Sequence, residues 1–171
     1  VQREGRGMTA DAKTNTMRLL ESKGIAYKAH YFSSDIHSAL EVANVVGLPP
    51  SQVFKTLVVL PEGGKPRPLL AIVPADRELD LKKLASVAGV KKVRMASHRE
   101  AEALTGLLVG GISALALLHK HWPVFLDASA QKYDEILVSA GQRGINLQLG
   151  VVDLVKITGA RVAEISRLSP T

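Results

Sequence analysis

A lysine and a threonine, Lys55 and Thr56, interrupt an otherwise nearly apolar run, QVFKTLVVL from Gln52 to Leu60. An ammonium held at a cleft edge can donate to a carbonyl, a hydroxyl or a phosphate. The same lysine at an open strand end simply reaches solvent along its methylene stem. Further along, TGLLVGGIS (Thr105 to Ser113) carries Gly110 and Gly111. Such a pair can bring backbone amides close to a carbonyl oxygen or a phosphate, or can form a plain turn. In VSAGQRG, Ser139 offers a hydroxyl, while Arg143 and Gly144 suit a hairpin turn. The glycine pair fits neither the Walker loop nor the dinucleotide fingerprint. His30, His37, His98, His119 and His121 form no HExxH pattern, and HKH beside Trp122 has no nearby carboxylates, so they read as surface or packing residues and no metal site is expected. No GxSxG elbow supports a serine triad. Asp127, at the end of the apolar WPVFL, reads as a turn cap rather than a ligand-orienting group.

The elements that must hold these residues alternate between helix and strand. Side chains alternate along a strand, which puts Val53, Lys55, Leu57 and Val59 on one face and Phe54, Thr56, Val58 and Leu60 on the other. Both faces are otherwise apolar, so the strand should be covered on both sides, with Lys55 at its open end or in a polar cavity. Helices are expected in TNTMRLLESKG, stopped by Gly24, in SALEVANVVG, stopped by Gly47, and from about Asp80 to Gly89. Ser97 and Glu100 have capping-box spacing at the head of another helix that Gly106 ends. A last amphipathic helix is expected in VVDLVKITG. IAYKAHYF and KKVRMA read as strands, LVVLPEGGKPRPLLAIV as a hairpin, and EILVS and INLQL as strands around AGQRG. Hairpins together with helical crossovers predict an α/β fold with a mixed sheet.

The 171 residues suit a single domain, and the 46% apolar and 22% charged content is that of a globular protein. There is no cysteine, so thiol chemistry would have to come from a substrate. The uncharged stretch from Ala103 to Leu118 is too short and too interrupted for a bilayer span, and no secretory signal is evident, so a cytoplasmic location without membrane contact is expected. Residues 1–7, VQREGRG, read as a tail, an alternative start or an appended remnant, ahead of a domain over 8–171. A net charge of +6 favours polyanionic partners. Lys82, Lys83, Lys91, Lys92 and Arg94 cluster between Leu81 and Arg94, as a phosphate-binding face or as ordinary solvated charge. With 4% aromatics, any RNA contact should lean on backbone charge rather than base stacking.

Taken in order, SQVFKTLVV, ELDLKKLASVAGVKKVRMAS, TGLLVGGIS and PVFLDASAQKYDEILVSAGQRGINLQL resemble the YbaK family of aminoacyl-tRNA deacylases, related to the editing domain of prolyl-tRNA synthetases. The resemblance runs from about Met8 to Leu168. It implies a mixed, partly barrel-like sheet surrounded by helices. It also implies hydrolysis of the ester joining a wrong amino acid to tRNA, typically cysteine on tRNA(Pro), by a free-standing protein without cofactor or metal. The partners implied are the acceptor end of mischarged tRNA and prolyl-tRNA synthetase; the oligomeric state stays open. The family's functional lysine falls on Lys55, with Thr56 beside it. Its substrate loop falls on Gly110, Gly111, Ile112 and Ser113, and its pocket serine on Ser139. No protein nucleophile is implied, the substrate's own thiol assisting attack on the ester. Three positions depart from the pattern: Phe32 for a tyrosine, Ala114 for a proline and Asn146 for an aspartate. They open the choice of amino acid to alanine or another small residue. A non-catalytic module binding tRNA or a synthetase, and hydrolysis of a free small ester, are the competing readings.

Overall fold

The computed structural model describes residues 13–63 and 67–170; the expected tail 1–7, Met8 and residues 64–66 of the glycine/proline loop lie outside them. In chain order the elements are α1 (Asn15–Ser22), β1 (Tyr27–Tyr31), α2 (Ala39–Val46), β2 (Phe54–Pro61), β3 (Leu69–Pro74), β4 (Arg77–Leu79), α3 (Leu81–Ala88), β5 (Val93–Met95), α4 (His98–Thr105), β6 (Val124–Asp127), β7 (Glu135–Ser139), β8 (Ile145–Gly150), α5 (Val151–Thr158), β9 (Arg161–Ala163) and β10 (Ser166–Leu168). Helices α2 to α5 each end on a glycine in the left-handed region, with φ between 68° and 77°, where a side chain would be strained.

The strands form a five-stranded mixed sheet in the order β5-β2-β3-β6-β9, a three-stranded sheet β1-β8-β7 and a ribbon β10-β4. β2 and β3 make the expected antiparallel hairpin, whereas β3–β6 and β6–β9 are parallel. Parallel neighbours need long crossovers, and the chain between β3 and β6 carries α3, β5 and α4. The fold is a single-domain α/β arrangement. The five- and three-stranded sheets meet at a bridge between Val53 and Leu137, and among the described residues no sheet closes into a barrel.

Alternation along β2 divides the core in two. Phe54, Val58 and Leu60 pack on one face of the central sheet with Met17 and Leu20 of α1 and with Ile136, Val138 and Leu147 of the three-stranded sheet. Val59 and the partly buried Leu57 pack on the other face with Leu84 and Ala85 of α3. The strand is covered on both sides, as its double apolar pattern requires.

Two local devices anchor the ends of this arrangement. Ser97 Oγ accepts from Glu100 N–H at 3.1 Å, and Glu100 accepts from Ser97 N–H at 2.9 Å, completing the capping box. Arg94 adds a two-pronged ion pair to Glu100 at 2.9 Å, and together these contacts hold the Glu100 carboxyl down to about 2. Asp127 does cap a turn, accepting from Ser129 N–H, but its other oxygen accepts from the amides of Ile165 and Ser166, both at 3.0 Å. It thereby ties the approach to β10 under β6. Burial pushes its carboxyl up, yet hydrogen bonds from Ser129, Ile165 and Ser166 outweigh burial and hold it below the usual range.

Both carboxyls bind a proton less readily folded than unfolded, so their stabilisation is complete above the ordinary carboxylate range and fades as pH falls toward the folded values. Ser97→Ala should lower unfolding free energy by about 1 kcal/mol. Asp127→Ala, which strands two buried amides, should lower it by roughly 2–5 kcal/mol. Urea unfolding at pH 7 and at acid pH checks both, and the deficit of Glu100→Gln should narrow as pH drops from 4.5 toward about 2.

Candidate active site

One edge of β2 belongs to β3 along the whole of Phe54–Val59. The opposite edge is shared unevenly. β7 touches it at the start through a parallel bridge between Val53 and Leu137, and β5 joins it only from Val59 onward. Between those contacts no strand pairs with Lys55, Thr56 and Leu57 on that side. The Val53 carbonyl accepts from Ala75 N–H at 2.7 Å, and bonded pairs alternate along an antiparallel ladder. Lys55 and Leu57 therefore turn their peptide groups toward β3, and Thr56 directs its N–H and C=O into the gap.

A cavity of about 310 Å³ opens at this gap. Lys55, Thr56, Gly110, Ile112, Ser139 and Asn146 all line it, bringing six of the sequence-derived candidates together from four stretches of chain. Ser139 and Asn146 face each other in the β7–β8 register. Ser139 Oγ accepts from Gly141 N–H at 3.1 Å, which leaves its proton free to donate. The side chains of Thr56 and Asn146 make no hydrogen bond to another described residue, and no fully buried side-chain nitrogen or oxygen among the described residues lacks a partner. Their polar atoms are thus reachable from the cavity.

Lys55 is partly buried and makes no ion pair or hydrogen bond with a described residue. Burial lowers its pKa from the usual lysine value, partly opposed by the negative charges of Glu78 and Asp76. Its side chain leaves β2 on the α3 face, Thr56 on the opposite one, so the two flank the open edge rather than share one wall.

The loop is held from behind. Gly110 has φ +94°, and a Cβ there would meet His37 at 3.0 Å. A Cβ on Gly111 would lie 2.9 Å from the backbone of Gln142 and Arg143, and Arg143 Nε donates to the Val109 carbonyl at 2.8 Å. The Gly111 amide is spent within the turn, donating to Leu108 at 2.8 Å. The amides of Gly110, Ile112 and Ser113 donate to no other described residue. Among the described residues no group of three histidine, cysteine, aspartate or glutamate side chains could hold a metal ion.

Residues 33–157, a span containing every residue that lines the cavity, match the aminoacyl-tRNA editing domain. The chain belongs to that family. An Enterococcus faecalis protein named "Putative Cys-tRNA(Pro)/Cys-tRNA(Cys) deacylase EbsC" is 41% identical over 156 residues, 90% of this chain and 93% of that one. The "Multifunctional Ser/Thr-tRNA deacylase ProXp-y" of Escherichia coli K12 is 30% identical over 127 residues, 74% of this chain and 76% of that one. A crystal structure described as "a putative trans-editing enzyme for prolyl tRNA synthetase" superposes with a TM-score of 0.75 at 26% identity, covering 91% of this chain and 99% of that one.

Three sequence-derived candidates stand outside the cavity lining. Phe32 packs one layer back, against the cluster containing Val42 and Ala75. Gly111 forms the loop's contact with the Gln142–Arg143 turn. Ser113 is buried, its Oγ accepting from Leu115 N–H at 3.1 Å. Conversely, His37 and His98, read as surface or packing residues, line the cavity together with Leu40 and Met95. His37 arrives there by packing under Gly110, a contact that no spacing along the chain announces. Gly111→Ala should force the loop off the Gln142–Arg143 turn, with a stability loss of about 1–3 kcal/mol and loss of ligand binding at the cavity. Thermal melts and a binding or turnover assay on the same preparation check this.

Proposed function

We propose that this editing domain is a free-standing deacylase that hydrolyses the ester of mischarged tRNA, with cysteine on tRNA(Pro) as its substrate. The supporting observation is the partly buried, unpaired Lys55 at the mouth of a largely apolar cavity whose polar groups include the Thr56 and Asn146 side chains and the free proton of Ser139. A cavity of about 310 Å³ has room for an aminoacyl group. The ester then lies across the open edge of β2. In this reading Lys55 donates to the ester carbonyl or to a hydroxyl of the terminal ribose. The N–H of Thr56 and the amides of Gly110 and Ile112 supply fixed donors for the carbonyl oxygen as negative charge develops on it. Donors fixed in place and a held substrate contribute several kcal/mol without a general base.

No protein nucleophile is assigned. With the substrate's thiol assisting, a water oxygen bonds to the carbonyl carbon, the bond from that carbon to the ribose oxygen breaks, and the ribose oxygen takes up a water-derived proton, giving the free amino acid and the free hydroxyl of tRNA. The 41% identity to a protein named for cysteinyl-tRNA substrates supports cysteine. Alanine is the second reading, favoured by Asn146 and Ala114 standing where the resembling family has an aspartate and a proline. The protein acts in the cytoplasm, on tRNA that prolyl-tRNA synthetase releases.

Multiple-turnover deacylation of cysteinyl-tRNA(Pro) and alanyl-tRNA(Pro) tests this directly. Loss of the cysteinyl ester alone, with kcat/KM reduced about 100-fold in Lys55→Ala, is the expected result. Removal of alanine instead would establish the second reading, and turnover of neither would overturn both. Because burial lowers the Lys55 pKa, its charge is lost as pH rises through a value below the ordinary 10.5. The rate advantage of wild type over Lys55→Ala should therefore begin to fall before pH 10.5, while that of Lys55→Arg persists.

A further inference from the structure

The glycine loop is held by two partly buried charged side chains, Glu102 and Arg143, that make no ion pair with a described residue. Glu102, in the second half of α4, accepts from the Val109 N–H at 2.9 Å, and Arg143 Nε donates to the Val109 carbonyl at 2.8 Å. Both charges are spent on the backbone of one residue, seven positions from Glu102 and 34 from Arg143. We propose that Arg143 and Glu102 are positioning residues that set the Gly110 N–H as a donor to the ester carbonyl oxygen. The proposal rests on the deacylase reading for the oxygen that receives the donor, and on the loop's own hydrogen bonds for its aim.

Val109 takes part in two peptide groups, and the contacts divide between them. In the peptide joining Leu108 to Val109 both ends are committed: the carbonyl accepts from Gly111 N–H at 2.8 Å and the N–H donates to Glu102. In the peptide joining Val109 to Gly110 only the carbonyl is committed, to Arg143, and the Gly110 N–H donates to no other described residue. No peptide bond between described residues is cis, and in a trans peptide the C=O and N–H point in opposite directions. Arg143 draws the carbonyl toward the Gln142–Arg143 turn, so the N–H faces away from that turn. Gly110 lines the cavity, whereas neither Arg143 nor Glu102 does.

The grip on the carbonyl does two things for the N–H at the other end of the same peptide. A cationic donor on the oxygen polarises the whole group and strengthens its N–H. A peptide already held needs no reorientation when negative charge develops on the ester oxygen. Both contributions grow as that charge forms, so they act on kcat more than on KM. Glu102 works one step further back, because fixing the Leu108–Val109 peptide removes the remaining freedom from which the Val109 carbonyl could swing off Arg143. Thr56 and Ile112 present their N–H groups from other contacts, so loss of the grip removes the aim of one donor and leaves the rest of the cavity standing.

The experiment measures kcat and KM for cysteinyl-tRNA(Pro) and alanyl-tRNA(Pro) in Arg143→Met, Arg143→Lys, Glu102→Leu and Glu102→Gln, with thermal melts and backbone NMR spectra of the same proteins. Arg143→Met should lower kcat about 100-fold and leave KM within about twofold. Arg143→Lys, which keeps a cationic donor for the carbonyl, should recover much of that loss. Glu102→Leu should lower kcat about tenfold, whereas Glu102→Gln keeps an acceptor for the Val109 N–H and should stay within about twofold of wild type. In the wild type a scalar coupling across the hydrogen bond should join Arg143 Nε to the Val109 carbonyl carbon, and Arg143→Met should move the Gly110 amide resonance. An unchanged kcat, a rise in KM alone, Arg143→Lys as inactive as Arg143→Met, or a Gly110 amide that Arg143→Met leaves unmoved would overturn the assignment. Should Arg143→Met melt below the assay temperature, the contrast between Glu102→Leu and Glu102→Gln decides it: equal kcat values would overturn the positioning role. If the wild type turns over neither ester, the deacylase reading fails, and the coupling and the Gly110 shift still decide how the loop is held.

Discussion

The organising constraint of this molecule is the unpaired stretch of β2. A strand edge exposes a row of hydrogen-bonding groups, and folded proteins normally pair it, cover it or keep it short. Here the edge is left open for three residues only, Lys55, Thr56 and Leu57, because two neighbours approach it from different directions. β7 belongs to the three-stranded sheet and reaches β2 only at Val53; β5 belongs to the central sheet and arrives only at Val59. The wedge between them is the cavity mouth. The same divergence that makes room for a ligand leaves the Thr56 peptide directed into that room.

The rest of the site follows from holding the wedge open. α4 is capped by Ser97 and Glu100 and pinned to β5 by the Arg94 pair, which fixes one wall and sends the chain on into the glycine loop. That loop is fixed in turn by the Gln142–Arg143 turn, which leaves no space for a Cβ at Gly111. The Thr16 hydroxyl donates to the Ala140 carbonyl, tying the same turn to α1. The loop thus rests on the turn, and the turn is tied to α1 and, through β7, to the start of β2. This is the rigid support that fixed donors need if they are to stabilise developing charge without reorganising.

Much of this was legible in the sequence, where the information is local. Alternation in QVFKTLVVL placed Phe54, Val58 and Leu60 opposite Leu57 and Val59, and the Ser97–Glu100 spacing gave a capping box. Glycine stops located the ends of four helices. What was hidden depends on partners far away in the chain. Asp127 looked like a turn cap because its Ser129 partner is two residues away, whereas its bonds to Ile165 and Ser166 cross 38 and 39 residues. His37 and His98 are polar residues in unremarkable helix approaches until the fold sets them at the cavity. The short strands β4, β9 and β10 carry three residues each, too few for alternation to register.

Lys55 and Thr56 are adjacent in sequence but serve opposite sides of the open edge, and this separation has a physical consequence for selectivity. Thr56, Ser139 and Asn146 belong to the enclosed side, where a polar group without a partner is penalised once a ligand displaces water. If the cavity takes an acyl group as proposed, a side chain without a hydrogen-bonding group would leave all three wanting and would be disfavoured on that ground as well as by size. Lys55 lies on the open side, partly desolvated but still charged, with Glu78 and Asp76 near enough to support that charge and neither close enough to form an ion pair. A lysine locked in an ion pair would have to break it before meeting an ester. A fully solvated one would gain little from the encounter. The position of Lys55, half out of water and uncommitted, avoids both losses.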